Sequence, residues 1–147
     1  MRIDFLTLFV GSFVAFSYTA EAQPLRTVEK VVESGKIQQI ERLVGLDADC
    51  HPIAKPTISL LQEPSQGRVT VENISVYPSF PPQNPRYRCN TKKVIGQGIF
   101  YKSRPSSSGE DAFIVEFVDL LGTPHRHRYH VTIRSNGKPE TADQKSL

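Results

Sequence analysis

The chain has 147 residues, 38% hydrophobic and 22% charged, with 11 prolines, two cysteines and no tryptophan. That composition excludes a membrane bundle, a disordered acidic chain and a large multidomain enzyme, and leaves one domain long enough to bury a core. The formal net charge of +3 includes no run of five like charges, so no nucleic-acid arm or nucleic-acid partner is expected.

Residues 1–22 read as an export signal. Arg2 forms a short basic region, Phe5 to Phe16 is apolar, and Ala20 and Ala22 fit the small-x-small cleavage pattern that places the cut before Gln23. The apolar run is too short to span a bilayer about 30 Å thick, so no transmembrane segment is expected once the signal is removed. No cysteine follows the run to carry a lipid anchor. The expected location is a periplasm or the outside of the cell.

Export decides how the cysteines are read. In an oxidising compartment Cys50 and Cys89 are expected to form a disulfide. It closes a loop of about 40 residues, and the chain-entropy model assigns such a closure about 4 kcal/mol. A redox or nucleophilic cysteine lacks the neighbouring Cys-x-x-Cys partner.

The mature chain opens on an ambiguous stretch, Gln23 to Val44. Leu25, Val28 and Val32 fit helical spacing, Ser34-Gly35 interrupts it, and Ile37 to Val44 fits a strand or a second short helix, so both remain open. From Pro56 to Leu61 the pattern is that of a strand. Glu63 to Gly67 is a turn, and Arg68 to Glu72 alternates so that Val69 and Val71 share a face. A hairpin through that turn is expected. Tyr77 to Arg88 holds four prolines and is expected to cross between sheets or cover an edge.

Val94 to Lys102 resumes strand character, and Ser103 to Gly109 is a loop. Asp111 to Leu120 is the strongest strand, with Phe113, Val115 and Phe117 on one face and Ile114, Glu116 and Val118 on the other. Gly122-Thr123-Pro124 turns the chain into a closing strand through Tyr129, Val131 and Ile133. Residues 134–147 are polar, with no core candidate, and read as a frayed tail. Short strands with frequent turns give an all-β fold class: a single antiparallel β-sandwich over residues 50–133, preceded by residues 23–49 of undecided structure.

From Thr57 to Ile133 the chain resembles the immunoglobulin-like or cadherin-like domains of exported bacterial proteins. The resemblance rests on Pro64-x-x-Gly67-x-Val69, Ile99-Phe100-Tyr101 with Pro105, Gly109-x-Asp111-x-Phe113, Asp119-x-x-Gly122 and Val131-Thr132-Ile133. It implies that the Gly-x-Asp-x-Phe motif enters a central strand whose Phe packs between the sheets. The Tyr usual two residues after that Phe is replaced here by Val115. Such domains serve many roles, so the fold does not assign a function.

Three groups are candidate sites. Tyr77, Phe80, Arg86, Tyr87 and Arg88 have the aromatic and arginine composition of interface anchors, and the same segment fits a polyproline cover on a sheet edge. His125, His127 and His130, with His51 after Cys50, offer imidazole ligands for zinc or copper. Strand alternation puts His125 and His127 on one side and His130 on the other, so at most two converge. Glu110, Asp111 and Asp119 suggest calcium, which requires about six to eight oxygens; Asp111 is instead expected to bond backbone amides in the loop before its strand. Asn73-Ile74-Ser75 matches a glycosylation pattern that matters only in a eukaryotic secretory route. No hydrolase elbow, zinc-protease motif, phosphate loop or dinucleotide fingerprint is present, so neither catalysis nor a cofactor is expected. The reading is a non-catalytic binding or structural module of the bacterial envelope, its partner an envelope or extracellular protein or glycan. A small periplasmic metal-binding protein is the alternative.

Overall fold

A computed structural model describes residues 24–135 apart from 54 and 120; the expected export signal and residues 136–147 of the expected tail lie outside them. Seven strands form two sheets: β1 (Leu25–Glu33), β2 (Ile37–Leu43), β3 (Thr57–Gln62), β4 (Gly67–Val76), β5 (Val94–Ser103), β6 (Gly109–Val118) and β7 (Pro124–Arg134). One sheet has the order β1-β7-β6-β3 and the other β2-β5-β4. Placing β3-β6-β7 opposite β2-β5-β4 reproduces the wiring of a seven-stranded immunoglobulin-type Greek key, with the first strand on the outer edge of the last.

The sandwich therefore begins at Leu25 rather than Cys50. The undecided stretch before Cys50 is two strands, and the helical spacing of Leu25, Val28 and Val32 is coincidental. Val28 and Val32 pack on the core, whereas Leu25 lies exposed. The expectation of an antiparallel sandwich also needs one correction, because β1 runs parallel to β7, from Leu25↔Arg126 to Glu33↔Arg134. The tight turn at Ser34-Gly35 is the cause. Gly35 takes a left-handed φ of 73°, its N–H donates to Ser103 Oγ at 2.8 Å, and the chain passes to the other sheet. β1 is left to be met by the last strand, which runs the same way.

The turn at Glu63–Gly67 likewise does not make a hairpin. β3 pairs with β6, β4 pairs with β5, and the turn carries the chain between sheets. Alternation shows which residues share a face but not which strand lies alongside. The core lies where the inner faces meet. Phe113 stacks between Tyr101 and Tyr129, with ring centroids 5.8 and 5.0 Å away, and Ile99, Val115 and Val131 fill the space around the three buried rings. Phe113 and Val115 are buried as their alternation requires, and Phe117 is half-buried towards the end of the sandwich.

One carboxylate organises the opposite end. Asp111 Oδ1 accepts the Ser65 N–H at 2.8 Å and the Ser65 hydroxyl at 3.0 Å. Its Oδ2 accepts the Gln66 N–H at 2.9 Å and the Tyr101 hydroxyl at 2.7 Å. The amides it binds belong mainly to the β3–β4 turn, not to the loop before its own strand. Burial pushes the Asp111 carboxyl up, but the bonds from Tyr101, Gln66 and Ser65 outweigh it and hold the group below the ordinary carboxylate value.

Replacing Asp111 by Asn puts a donor where the turn amides need an acceptor, and should lower the unfolding free energy by about 2 kcal/mol. A depressed carboxyl contributes stability that is present above the unfolded-state value of 3.8 and is lost as pH falls through the folded-state value. Denaturant unfolding at stepped pH should therefore show an acid-side loss in the parent protein that is reduced in Asp111→Asn. Identical acid limbs would deny Asp111 this role.

Candidate functional site

Three connections meet at the end of the sandwich away from Asp111: residues 44–56 between β2 and β3, 77–93 between β4 and β5, and 119–123 between β6 and β7. The first begins by crossing β5 closely. A Cβ on Gly96 would lie 2.6 Å from the Leu43 carbonyl oxygen, so a side chain there would push the connection away. Asp47 then tightens a turn, accepting the N–H groups of Asp49 and His51 on Oδ1, each at 2.8 Å. The His51 N–H is the chief reason the Asp47 carboxyl is held low. Within this turn Cys50 takes a left-handed φ of 71°, and its sulfur bonds to Cys89.

The expected disulfide is thus present, joining the β2–β3 connection to the short 3-10 turn Tyr87–Thr91 that ends the proline-rich segment. Around it lies a second apolar cluster of Leu46, Cys89 and Val94, with Val44 and Phe80 packed against it. The five candidate anchors of the proline-rich segment divide accordingly. Tyr77 and Tyr87 are 56% and 51% exposed. Phe80 is half-buried, its backbone gripped on both sides by the Asn90 amide at 2.9 Å.

Arg86 and Arg88 turn back onto their own chain. Arg86 Nε donates to the Leu46 carbonyl at 2.5 Å, and Arg88 donates from Nε and Nη2 to the Ala48 carbonyl at 2.9 and 2.6 Å. Arg88 Nη2 also reaches Asp49. Both arginines hold the β2–β3 connection in place.

The three connections enclose a cavity of about 270 Å³. Its walls are Leu43 at the end of β2 with residues 44–46 and Pro56 of the first connection, Phe80 and Arg86 of the second, and Phe117 of β6 with Asp119 and Leu121 of the third. Leu121 is 90% exposed, an apolar side chain standing at the tip of the β6–β7 turn. Asp119 closes that turn: its Oδ1 accepts the N–H groups of Leu121 and Thr123 at 2.8 and 3.0 Å, and its Oδ2 meets His125 Nε2 at 2.8 Å. Together with His125, these contacts lower the Asp119 carboxyl. Sequence reading missed Leu121 and Phe117 as site residues and weighed Asp119 only for calcium; the usable signal was a large apolar residue directly before the Gly-Thr-Pro turn.

The histidines separate as alternation requires. Phe117 stacks on His125 at 5.1 Å and meets His127 edge-on at 5.0 Å, so these two rings lie on the inner side. Burial, reinforced by the Arg26 charge, lowers His127. A register shift between Gln39 and Glu41 sets Glu41 opposite Ile99, on the same face as Gln38 opposite Tyr101, and its charge adds to burial in raising the Tyr129 hydroxyl. His130 lies on the outer face, Nδ1 meeting Glu29 at 2.6 Å and Nε2 meeting Glu110 at 3.2 Å. The Glu29 contact, with its charge, raises His130. His51 is paired with Asp47 in the loop. Among the described residues no group of three or more His, Cys, Asp or Glu side chains is placed to hold a metal ion. His125, His127, His130 and His51 therefore do not assemble into one set, and Glu110, Asp111 and Asp119 are held by separate partners.

No helix among the described residues is long and apolar enough to cross a membrane. The fold and this end of it define a disulfide-bonded β-sandwich with a cavity walled by loops. No family model matches the chain, and no curated protein matches it. Among solved structures, the solution structure of Amebosin is similar with a TM-score of 0.40 and 12% identity, over 76% of this chain and 99% of that one. That likeness is too distant to bear on function.

Two outcomes follow from this geometry. Replacing Cys50 and Cys89 by Ser should lower stability by up to about 4 kcal/mol in denaturant unfolding. Alkylation of the unreduced protein should find neither thiol; free thiols at both positions would overturn the structural role. In an NMR titration of the imidazoles, His127 should titrate below and His130 above the ordinary histidine value near 6.5. Glu29→Gln should bring only His130 back towards it.

Proposed function

We propose that the chain is an exported, non-catalytic binding module of the bacterial cell envelope, an immunoglobulin-like sandwich that engages a partner protein through its loop end. The observation that carries this reading is the convergence of three connections, two of them joined by a disulfide, on a cavity that exists before any partner arrives. A site already in its bound shape avoids most of the ordering cost that flexible loops meet on association. About 270 Å³ is small for a cofactor pocket, which usually begins near 300 Å³, and suits a single apolar or aromatic side chain from a partner.

The surroundings match that use. Leu121 at the mouth and the exposed rings of Tyr77 and Tyr87 on the adjoining segment supply apolar and aromatic contact area. The placement outside the cytoplasm rests on the export signal read in residues 1–22 and on the Cys50–Cys89 bond, which persists in oxidising compartments. Among the described residues no three His, Cys, Asp or Glu side chains are grouped as the metal-binding alternative needs.

A photo-crosslinking side chain at position 121, compared with one at Ser59 on the outer face of β3, tests the site. In envelope preparations the 121 variant should yield a discrete protein adduct that disappears on adding excess unlabelled parent protein, and the Ser59 variant should yield none. No adduct from 121, or the same adducts from both positions, would refute the loop-end site.

A further inference from the structure

Each sheet leaves two edges, and three of the four edge strands carry features that discourage pairing. β2 and β3 are each broken by a register shift, at Gln39/Glu41 and at Leu60/Gln62. β1 carries Arg26 and Lys30 on the face that also bears its core residues Val28 and Val32. Bulges and inward charges are the usual means by which an edge is kept from pairing. β4 has neither. It pairs with β5 at all ten positions, from Gly67↔Ser103 to Val76↔Val94, with no shift and no proline, and among the described residues no strand lies on its other side.

The charges on β4 are badly placed for a lone molecule. Arg68 lies directly opposite Lys102, a like charge, and Glu72 lies opposite Gly98, which has no side chain. Among the described residues neither Arg68 nor Glu72 forms an ion pair. Glu72 receives only a long 3.4 Å bond from the Thr70 hydroxyl. Val71, between them, is 42% exposed.

We propose that β4 is a homodimerisation edge, pairing antiparallel with β4 of a second copy about a two-fold axis through Thr70. The pattern Arg68-Val69-Thr70-Val71-Glu72 is self-complementary about that residue. In this register Arg68 faces Glu72 of the second copy and Val69 faces Val71, each contact made twice as a two-fold requires, and Thr70 faces Thr70 on the axis. The carboxylate arriving beside Arg68 offsets the neighbouring Lys102 charge, and the exposed Val71 gains an apolar partner. The two three-stranded sheets become one six-stranded sheet, held by main-chain hydrogen bonds and placed in register by the charges.

Sedimentation equilibrium of the disulfide-bonded mature protein over a dilution series tests this with five samples. The parent protein should dimerise. Arg68→Glu and Glu72→Arg should each weaken dimerisation by about tenfold or more, because each sets like charges face to face. Arg68→Glu combined with Glu72→Arg in one chain should dimerise again, and so should an equimolar mixture of the two single variants. Both positions are exposed, so the circular-dichroism spectrum of each folded variant should match the parent and separate lost pairing from lost folding. A parent protein monomeric at every concentration, single variants that dimerise as tightly as the parent, or failure of both the double variant and the mixture to recover would each overturn the proposal.

Discussion

The structure depends most on a single buried carboxylate. Asp111 stands at the head of the strand that carries the core aromatic, and it is 4% exposed. A charge in that position is tolerable only if its lone pairs are filled, and here two turn amides, a serine hydroxyl and a tyrosine hydroxyl fill them. The consequence is mechanical as well as electrostatic. Tyr101 belongs to the second sheet, Asp111 to the first, and Ser65 and Gln66 to the turn between β3 and β4, so one side chain joins both layers to a crossover. The bond also keeps the Tyr101 ring stacked on Phe113, which ties this polar junction to the apolar core.

The far end is held by different chemistry. A disulfide and two arginines secure the β2–β3 connection there, the arginines by donating to main-chain carbonyls rather than by pairing with acids alone. Carbonyl groups in an irregular loop lack ladder partners, and a guanidinium with several donors is well suited to satisfy them. The cavity is a by-product of that bracing: the connection is held off the β6–β7 turn, and the gap between them is lined with the apolar residues that each side would otherwise bury.

Much of this was legible in the chain. Period-two alternation identified β6 and β7, the shared face of Phe113 and Val115 and that of Tyr129 and Val131, because a strand buried on one face repeats every second residue; burial was expected of Phe113 and Phe117, and only Phe113 is fully buried. Parity of two cysteines in a chain read as exported was enough to pair Cys50 with Cys89. Partner choice was not legible. The Glu63–Gly67 turn has hairpin composition, yet it crosses between sheets, and nothing local distinguishes the two outcomes. The extra residue at Ile40–Glu41 shifted the phase of β2 and concealed both the strand and the inward carboxylate. Arg86 and Arg88 looked like interface anchors because composition cannot reveal a carbonyl about 40 residues upstream that takes up the guanidinium.

The parallel pairing of β1 with β7 also orders events in time. Glu29 meets His130 across 101 residues of chain, so β1 finds its neighbour only after the five strands between them have been made. Until then the first sheet lacks an edge and Val28 and Val32 have no completed inner face to join. Contacts of such long sequence separation make folding slow, since the closure entropy must be met before any of them forms. Of the seven strands, β7 is therefore the one whose arrival closes the first sheet and completes the sandwich.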